Sequence, residues 1–468
     1  MRYVAMALDC IMCGNPAGSR EHVFPAAFGG RRKNKGIYCE DHNEGLGHHV
    51  KELMKALSYF NASLGVRSDH YDAPQPHQIA QPNGQRFQAL HDDIEVAPPP
   101  PLSQTPEILG KEAVLAFASI PQRDRWITEQ KKKGFEFLSA VTGESRTEYF
   151  PTGMNQRLEF GSDEFRCALA YVALTLLSHY FPDVSRLGAL SSIKKCILGE
   201  ELIGDRVWWV DPSRVTVPSD SSFPHVHSVV IEISGATGKA TGLITLFKHL
   251  CLAVDLGVLP QGAEKRITIL IDPLAQRPGL NKDVLEIPGG SPLNVPPRED
   301  GRKYLQQMVN QEKPNPVTEI LREHRDIHMA RLGEDLLPRL LAAQEMNTAE
   351  RLHHVRMIID EQGQRILNLL NRGIKMAVEG PLELPSLVID ALKLAIVEDS
   401  STKHGMAERS MGYLILAKSA VMAEAIRHLD AGTMDEDTLQ QLFGDGLGIA
   451  IATKPVTTAV INTTELRS

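Results

Sequence analysis

Between Leu46 and Phe60 apolar residues return every three to four positions: Leu46, Val50, Leu53, Met54, Leu57 and Phe60. That is the period of a helix with one face on a core. A second helix is predicted from Ser162, a plausible N-cap, with Phe165, Leu169, Val172 and Leu176 on one face. Its other faces are apolar too, which predicts burial. The stretches Val207–Val210, Val226–Ile233, Gly242–Phe247 and Arg266–Ile271 are short, β-branched and bounded by Gly, Pro or Asp, so they read as strands. Helical spacing dominates from Val317 onward, through Ile320, Leu321, His324 and Ile327, then Leu352, Val355, Ile358 and Ile359, then Ile366, Leu369 and Leu370. It continues through Met411, Leu414, Ile415, Lys418 and Met422, with a further helix start at Asp435. The Thr-rich tail after Ile451 reads as a strand or an unstructured end.

Turn residues divide these runs. Pro74, Pro76, Pro82 and the Asn83-Gly84 pair predict a hairpin of Gln78–Gln81 with Gln85–Leu90. The stiff run Pro98–Pro101 reads as a boundary, and the Pro- and Gly-rich stretch 286–316 as a linker or irregular edge. The predicted fold is α+β and multidomain. Residues 1–67 form a small N-terminal module, 68–101 a hairpin and linker, 102–285 a mixed α/β domain of unknown role, and 300–468 a mainly helical domain. Gly235, Gly238 and Gly242 lack the Gly-Lys-Ser/Thr ending of a phosphate loop and read as a turn between strands. His48 and His49 read as surface histidines, and His225 and His227 as surface or packed ones.

Composition narrows the class. A length of 468 residues suits two to three domains. The net charge of −8 excludes a chain that coats nucleic acid along its whole length, so any DNA binding must come from a local patch or a partner. Six cysteines are few for this length, and Cys167, Cys196 and Cys251 sit in apolar surroundings. This predicts a reducing, cytoplasmic setting without a disulfide framework. The N-terminus lacks a signal-peptide layout, and the longest apolar stretch, Cys167–Leu177, is too short for a bilayer, so no membrane partner is expected.

Chemistry concentrates at the N-terminus. Cys10, Cys13, Cys39 and His42 come as two pairs with two-residue gaps, an S₃N set suited to a closed tetrahedral zinc site that is structural. The intervening residues 14–38 exceed the roughly 15–20 of a simple finger or ribbon. That insertion holds Glu21-His22, Pro25, Gly29-Gly30 and Asn34, and Asn43 follows the second pair.

Over about residues 5–65, this pattern resembles the HNH endonucleases with their ββα-metal motif. Position 21 is Glu where Asp is common, and the fourth zinc ligand is His42 where Cys is commoner. The resemblance implies that Glu21 and Asn43 hold a catalytic divalent cation, magnesium or another. It makes His22 the general base and Asn34 the brace of the loop. A histidine near its usual pKa of about 6.5 can take a water's proton at neutral pH. A hard cation on carboxylate and amide oxygens stabilises the charge developing at the phosphate and at the leaving 3′ oxygen. Arg20, Arg31, Arg32, Lys33 and Lys35, with Glu21 the one acidic residue among them, suit contact with a DNA backbone and carry no base-edge readout.

The expected activity is therefore metal-dependent hydrolysis of DNA phosphodiester bonds, by nicking or double-strand cleavage. A small nuclease joined to a large sensor-like region fits, by analogy alone, an effector of bacterial defence against foreign DNA, controlled through residues 102–468 by a protein or small-molecule signal. The alternative is a non-catalytic, zinc-anchored adaptor that binds nucleic acid or protein.

Overall fold

The computed structural model describes residues 8–70, 74–80, 86–90, 93–137, 158–218, 223–262, 264–274, 284–288, 293–379, 388–389, 392, 405–444 and 446–465. The chain is mixed α and β and divides into two compact units. Unit 1 comprises Met1–Leu138 with Gln156–Arg322, and unit 2 comprises Ser139–Asn155 with Glu323–Ser468.

Unit 1 begins with two short strands, β1 (Glu21–His22) and β2 (Lys33–Asn34), paired antiparallel so that Glu21 opposes Asn34 and His22 opposes Lys33. Helix α1 (Glu40–Ser63) follows directly, with Cys39 at its N-cap. Glu40 and Asp41 in its first turn favour the positive end of the helix dipole. The helix buries Leu46, Leu53, Leu57 and Phe60, as their spacing predicted. Next comes a three-stranded sheet, β3 (His77–Ala80), β4 (Arg86–Leu90) and β5 (Asp93–Val96), in the order β3-β4-β5. The first two strands are the expected hairpin, with Ile79 opposite Phe87. Its Asn83-Gly84 turn lies outside the described residues.

The proline run is not a free linker. It packs on helix α2 (Ile120–Lys132), where Trp126 Nε1 donates to the Pro99 carbonyl at 2.8 Å and the Leu102 N–H donates to Gln130 Oε1 at 3.0 Å. Helix α3 (Asp163–Tyr180) starts where predicted, the Ser162 hydroxyl accepting from the Phe165 N–H. Its residues from Ala168 to Ser178 are all buried. Short helices α4 (Pro182–Ser185) and α5 (Ser191–Ile197) lead into the main sheet.

That sheet contains β6 (Val207–Trp209), β7 (His227–Ile233), β8 (Lys239–Leu246), β9 (Leu250–Val258), β10 (Lys265–Ile271) and β11 (Val284–Pro288). Its order is β11-β10-β7-β8-β9-β6, and every neighbouring pair is antiparallel. The Gly235 and Gly238 stretch is the turn between β7 and β8, closed by Gly238 N–H to Ser234 O at 2.8 Å. The stretch expected as linker holds the end of β11 and the whole of helix α6 (Arg298–Val309).

One core runs through unit 1. Cys10, Phe24, Phe28, Tyr38, Leu53 and Phe60 belong to the same buried cluster as Leu169, Leu174, Val229, Ile244, Phe247 and Ile269. The boundary expected between residues 67 and 102 is therefore not where the packing divides. A module of this size buries too little apolar surface by itself, and α3 with the sheet supplies the rest.

Helix α7 (Pro316–Ala342) starts in unit 1 and continues in unit 2. The described residues of unit 2 are mainly helical, as expected, with α8 (Thr348–Glu361), α9 (Gly363–Glu379), α10 (Gly405–Asp430), α11 (Glu436–Phe443) and α12 (Leu447–Glu465). Asp435 caps α11, accepting from the Thr438 N–H at 2.8 Å. The tail is the correction. Residues Leu447–Glu465 are helical, not a strand or an unstructured end. Ala452, Val456 and Val460, four residues apart, enter the unit 2 core, and that burial outweighs the threonines and the internal Pro455. No helix among the described residues is long and apolar enough to cross a membrane.

Candidate functional site

The two ligand pairs close on each other. The Sγ atoms of Cys10, Cys13 and Cys39 and a ring nitrogen of His42 all lie within 4.8 Å of one another. Cys13 Sγ is 3.9 Å from Cys39 Sγ, and His42 Nδ1 is 3.8 Å from Cys10 Sγ and 3.2 Å from Cys39 Sγ. Thiolates around one tetrahedral zinc stand about 3.8 Å apart, as 2.3 Å bonds require. The cluster can therefore hold one metal ion, with four protein ligands and no open position. Local backbone forms it. The Cys10 N–H donates to Asn15 O, and Gly14, at φ +77°, closes the first turn by donating to Cys10 O. Cys39 and His42 ride on the start of α1, where the Asn43 N–H returns to Cys39 O. The two halves are tied by Ile11 N–H to Ile37 O at 3.0 Å, and by Arg186 after α4, whose guanidinium donates to both Asp9 O and Gly36 O.

The ribbon of β1 and β2 carries the other candidates. Glu21 and His22 are adjacent in an extended strand and face opposite sides. Glu21 turns inward, its Oε1 accepting from the Tyr171 hydroxyl of α3 at 2.6 Å. Burial drives its carboxyl up to about 7, against the lowering pull of the Tyr171 hydroxyl and the His22 N–H. His22 turns the other way. Its Nε2 is 3.1 Å from Asp69 Oδ2, and the His70 ring stands edge-on at 5.1 Å. Burial lowers the His22 pKa, with Asp69 pulling it back up and Lys33 and His70 adding to the fall. The strand thus sends Glu21 and His22 to opposite faces and does not bring both onto one.

Asn34 ties the ribbon in two directions. Its Oδ1 accepts from the Gly36 N–H at 2.7 Å, and its Nδ2 lies 2.8 Å from His179 Nδ1 on α3, which acts as acceptor. Burial, and to a lesser degree the Arg32 charge, lower His179 to about 4, so it is neutral and able to accept. Asn43 sits on the first turn of α1 with a buried Oδ1 that has no hydrogen-bond partner. An orphaned amide oxygen and a half-buried carboxylate, Glu21, are the donor types a hard cation takes.

The basic run is divided. Arg31, expected at a DNA backbone, is 5 % exposed and faces Asp69, its Nη1 3.7 Å from Oδ1. Lys33 Nζ is 2.7 Å from the other oxygen of the same carboxylate. Arg32 donates to the Tyr180 hydroxyl at 3.2 Å. Arg20 and Lys35 are exposed to solvent. The half-buried Asp69 carboxylate is thus shared by His22, Arg31 and Lys33.

Several contributors were not legible beforehand. Asp69, Tyr171, His179, Tyr180 and Arg186 all reach the site from outside Cys10–Asn43. His49 is not a surface residue as expected, while His48 is exposed. His49 is buried against the Tyr171 ring at 5.4 Å, with Nε2 donating to Ile197 O at 2.8 Å. His225 and His227 are both packed. His227 lies between Phe24 and Phe247 and accepts from the Phe247 N–H. No protein family, curated protein or solved structure matches the chain.

Proposed function

We propose that this chain is a metal-dependent endonuclease of the HNH type that hydrolyses DNA phosphodiester bonds. The observation that carries the reading is the ribbon itself. Glu21, His22 and Asn34 share two paired strands that run straight into a helix whose first turn bears half of a Cys₃His cluster. Zinc at Cys10, Cys13, Cys39 and His42 holds that geometry and takes no part in the reaction.

His22 serves as the base. A water's proton goes to its ring, the water oxygen bonds to phosphorus, and the P–O3′ bond breaks. Glu21 and Asn43 are the residues that would hold a magnesium or similar ion, which when bound neutralises charge at the phosphate and the departing oxygen. Asn34 fixes the ribbon against α3. Arg20 and Lys35 remain for the DNA backbone. Control through the residues beyond the ribbon, in a defence setting and in the cytoplasm, completes the proposal.

One observation favours the zinc-anchored adaptor instead: Arg31, Arg32 and Lys33 spend their charge on internal partners. The test is a supercoiled plasmid incubated with zinc-loaded protein in magnesium or manganese. Wild type is expected to nick or linearise it. His22→Ala should lower the rate by about 10²–10⁴-fold with zinc content and DNA affinity unchanged. Binding without cleavage by the wild type establishes the adaptor.

A further inference from the structure

The His22 ring has two nitrogens, and the structure distinguishes them. Nε2 lies 3.1 Å from Asp69 Oδ2. An ionised carboxylate at hydrogen-bond distance accepts and cannot donate, so the proton of a neutral ring belongs on Nε2 and the lone pair on Nδ1. Asp69 is well held as a carboxylate, with Lys33 Nζ at 2.7 Å and Arg31 Nη1 at 3.7 Å.

A competing account makes His22 a cation that pins the segment after α1 to the ribbon. The charges argue against it. Lys33 and Arg31 already place two cations on one carboxylate, and Lys33 stands directly opposite His22 across the strand pair. A third positive charge there would face two like charges. A neutral ring that donates through Nε2 satisfies Asp69 without that repulsion.

We propose that Asp69 is the positioning residue of this site, fixing His22 as the Nε2–H tautomer so that Nδ1 is the atom that takes the water's proton. This rests on the nuclease reading. Asp69 is not a catalytic residue in this account, because it touches the base and not the substrate. It lies beyond Asn43, outside the stretch that carries the HNH-like residues.

The experiment uses the full chain labelled with nitrogen-15 histidine. Long-range proton–nitrogen spectra separate the two neutral tautomers and the imidazolium, and His22 is identified by the signal missing from His22→Gln. Wild type is expected to show Nε2–H. Asp69→Asn keeps the shape but replaces the charged acceptor with a neutral amide that can present its oxygen or its N–H, so the single Nε2–H pattern should give way to a mixture of tautomers. Single-turnover plasmid cleavage should fall by about 10²-fold or more, with zinc content and affinity for a fluorescent duplex unchanged. Asp69→Ala guards against a folding defect peculiar to the amide and should give a mixture of tautomers and a similar loss. A wild-type Nδ1–H tautomer or imidazolium overturns the proposal, as does an unchanged spectrum in both variants. Wild type that cuts DNA while both variants cut equally fast overturns Asp69 alone. Wild type that leaves DNA intact overturns the nuclease reading, and Asp69's role with it.

Discussion

Gly30 has no room for a side chain. A Cβ there would stand 1.9 Å from the Phe24 carbonyl oxygen, and one on Gly29, at φ +89°, would stand 2.7 Å from Pro273 Cα. These glycines let the chain return from β1 to β2, so Gly30→Ala should cost at least about 1–3 kcal/mol by forced displacement of backbone. A denaturant midpoint unchanged from wild type would contradict this. His49 sets a second residue-scale expectation. Burial, only partly opposed by its bond to Ile197 O, lowers it to about 4. The folded state therefore keeps His49 neutral while the unfolded chain protonates near 6.5. Stability from this group is fully present above about 6.5 and is lost as pH falls towards 4, by on the order of 3 kcal/mol. His49→Gln should flatten that part of the melting-temperature profile, and an unchanged acid slope would refute it. The Cys₃His cluster was legible because its two-residue gaps are local geometry. Asp69, Tyr171 and His179 were not, because nothing in the sequence between them and the ribbon signals that tertiary folding will bring them together.

At the scale of elements, helix α1 joins the metal cluster to the core. Its first turn carries His42 and its N-cap is Cys39, while Leu53, Leu57 and Phe60 further along are buried. Removing the metal should release the first turns before the last ones. Cys39→Ala, or chelation, is expected to abolish hydrogen-exchange protection from Glu40 to about His49 and leave it near Phe60. The last turns belong to a core shared with α3 and the sheet. Apparent metal binding on the order of 10 kcal/mol would otherwise be expected to govern the whole helix. Full protection in Cys39→Ala would remove the metal from the account. Sequence pattern found α1 and α3 from helical spacing and a cap, and four strands from β-branched runs bounded by turn residues. It missed β9, whose first four residues, Leu250, Cys251, Leu252 and Ala253, are not β-branched. It misread α12 because five threonines mimic strand composition, while the three residues that decide its state lie four apart.

For the whole molecule, the shared core decides what can be cut away. A nuclease cassette with its own core would leave residues 102–468 able to fold without it, and the proline run made that division plausible on paper. The packing says otherwise. The buried cluster around α3, with Phe165, Leu169, Val172 and Leu176, also contains Phe24, Phe28, Leu53 and Phe60. Each large side chain returned to water costs about 1.5–3 kcal/mol. A handful of them therefore amounts to the 5–15 kcal/mol that a domain has in total. A fragment beginning at Leu102 is accordingly expected to keep unit 2 folded and lose unit 1. Residues 323–468 contain their own buried cluster, from Leu336 to Val460. The fragment should show helical circular dichroism from unit 2, bind a hydrophobic dye and aggregate. Residues 323–468 alone should melt cooperatively. A soluble 102–468 fragment with native near-ultraviolet signals from Trp208 and Trp209, and one sharp transition, would show that the N-terminal residues only decorate a complete domain. The expected result instead makes the ribbon, the metal cluster, α3 and the sheet a single folding unit. Glu21, His22 and Asn34 then keep their places through Tyr171, Asp69 and His179, and no shorter N-terminal piece should reproduce the site.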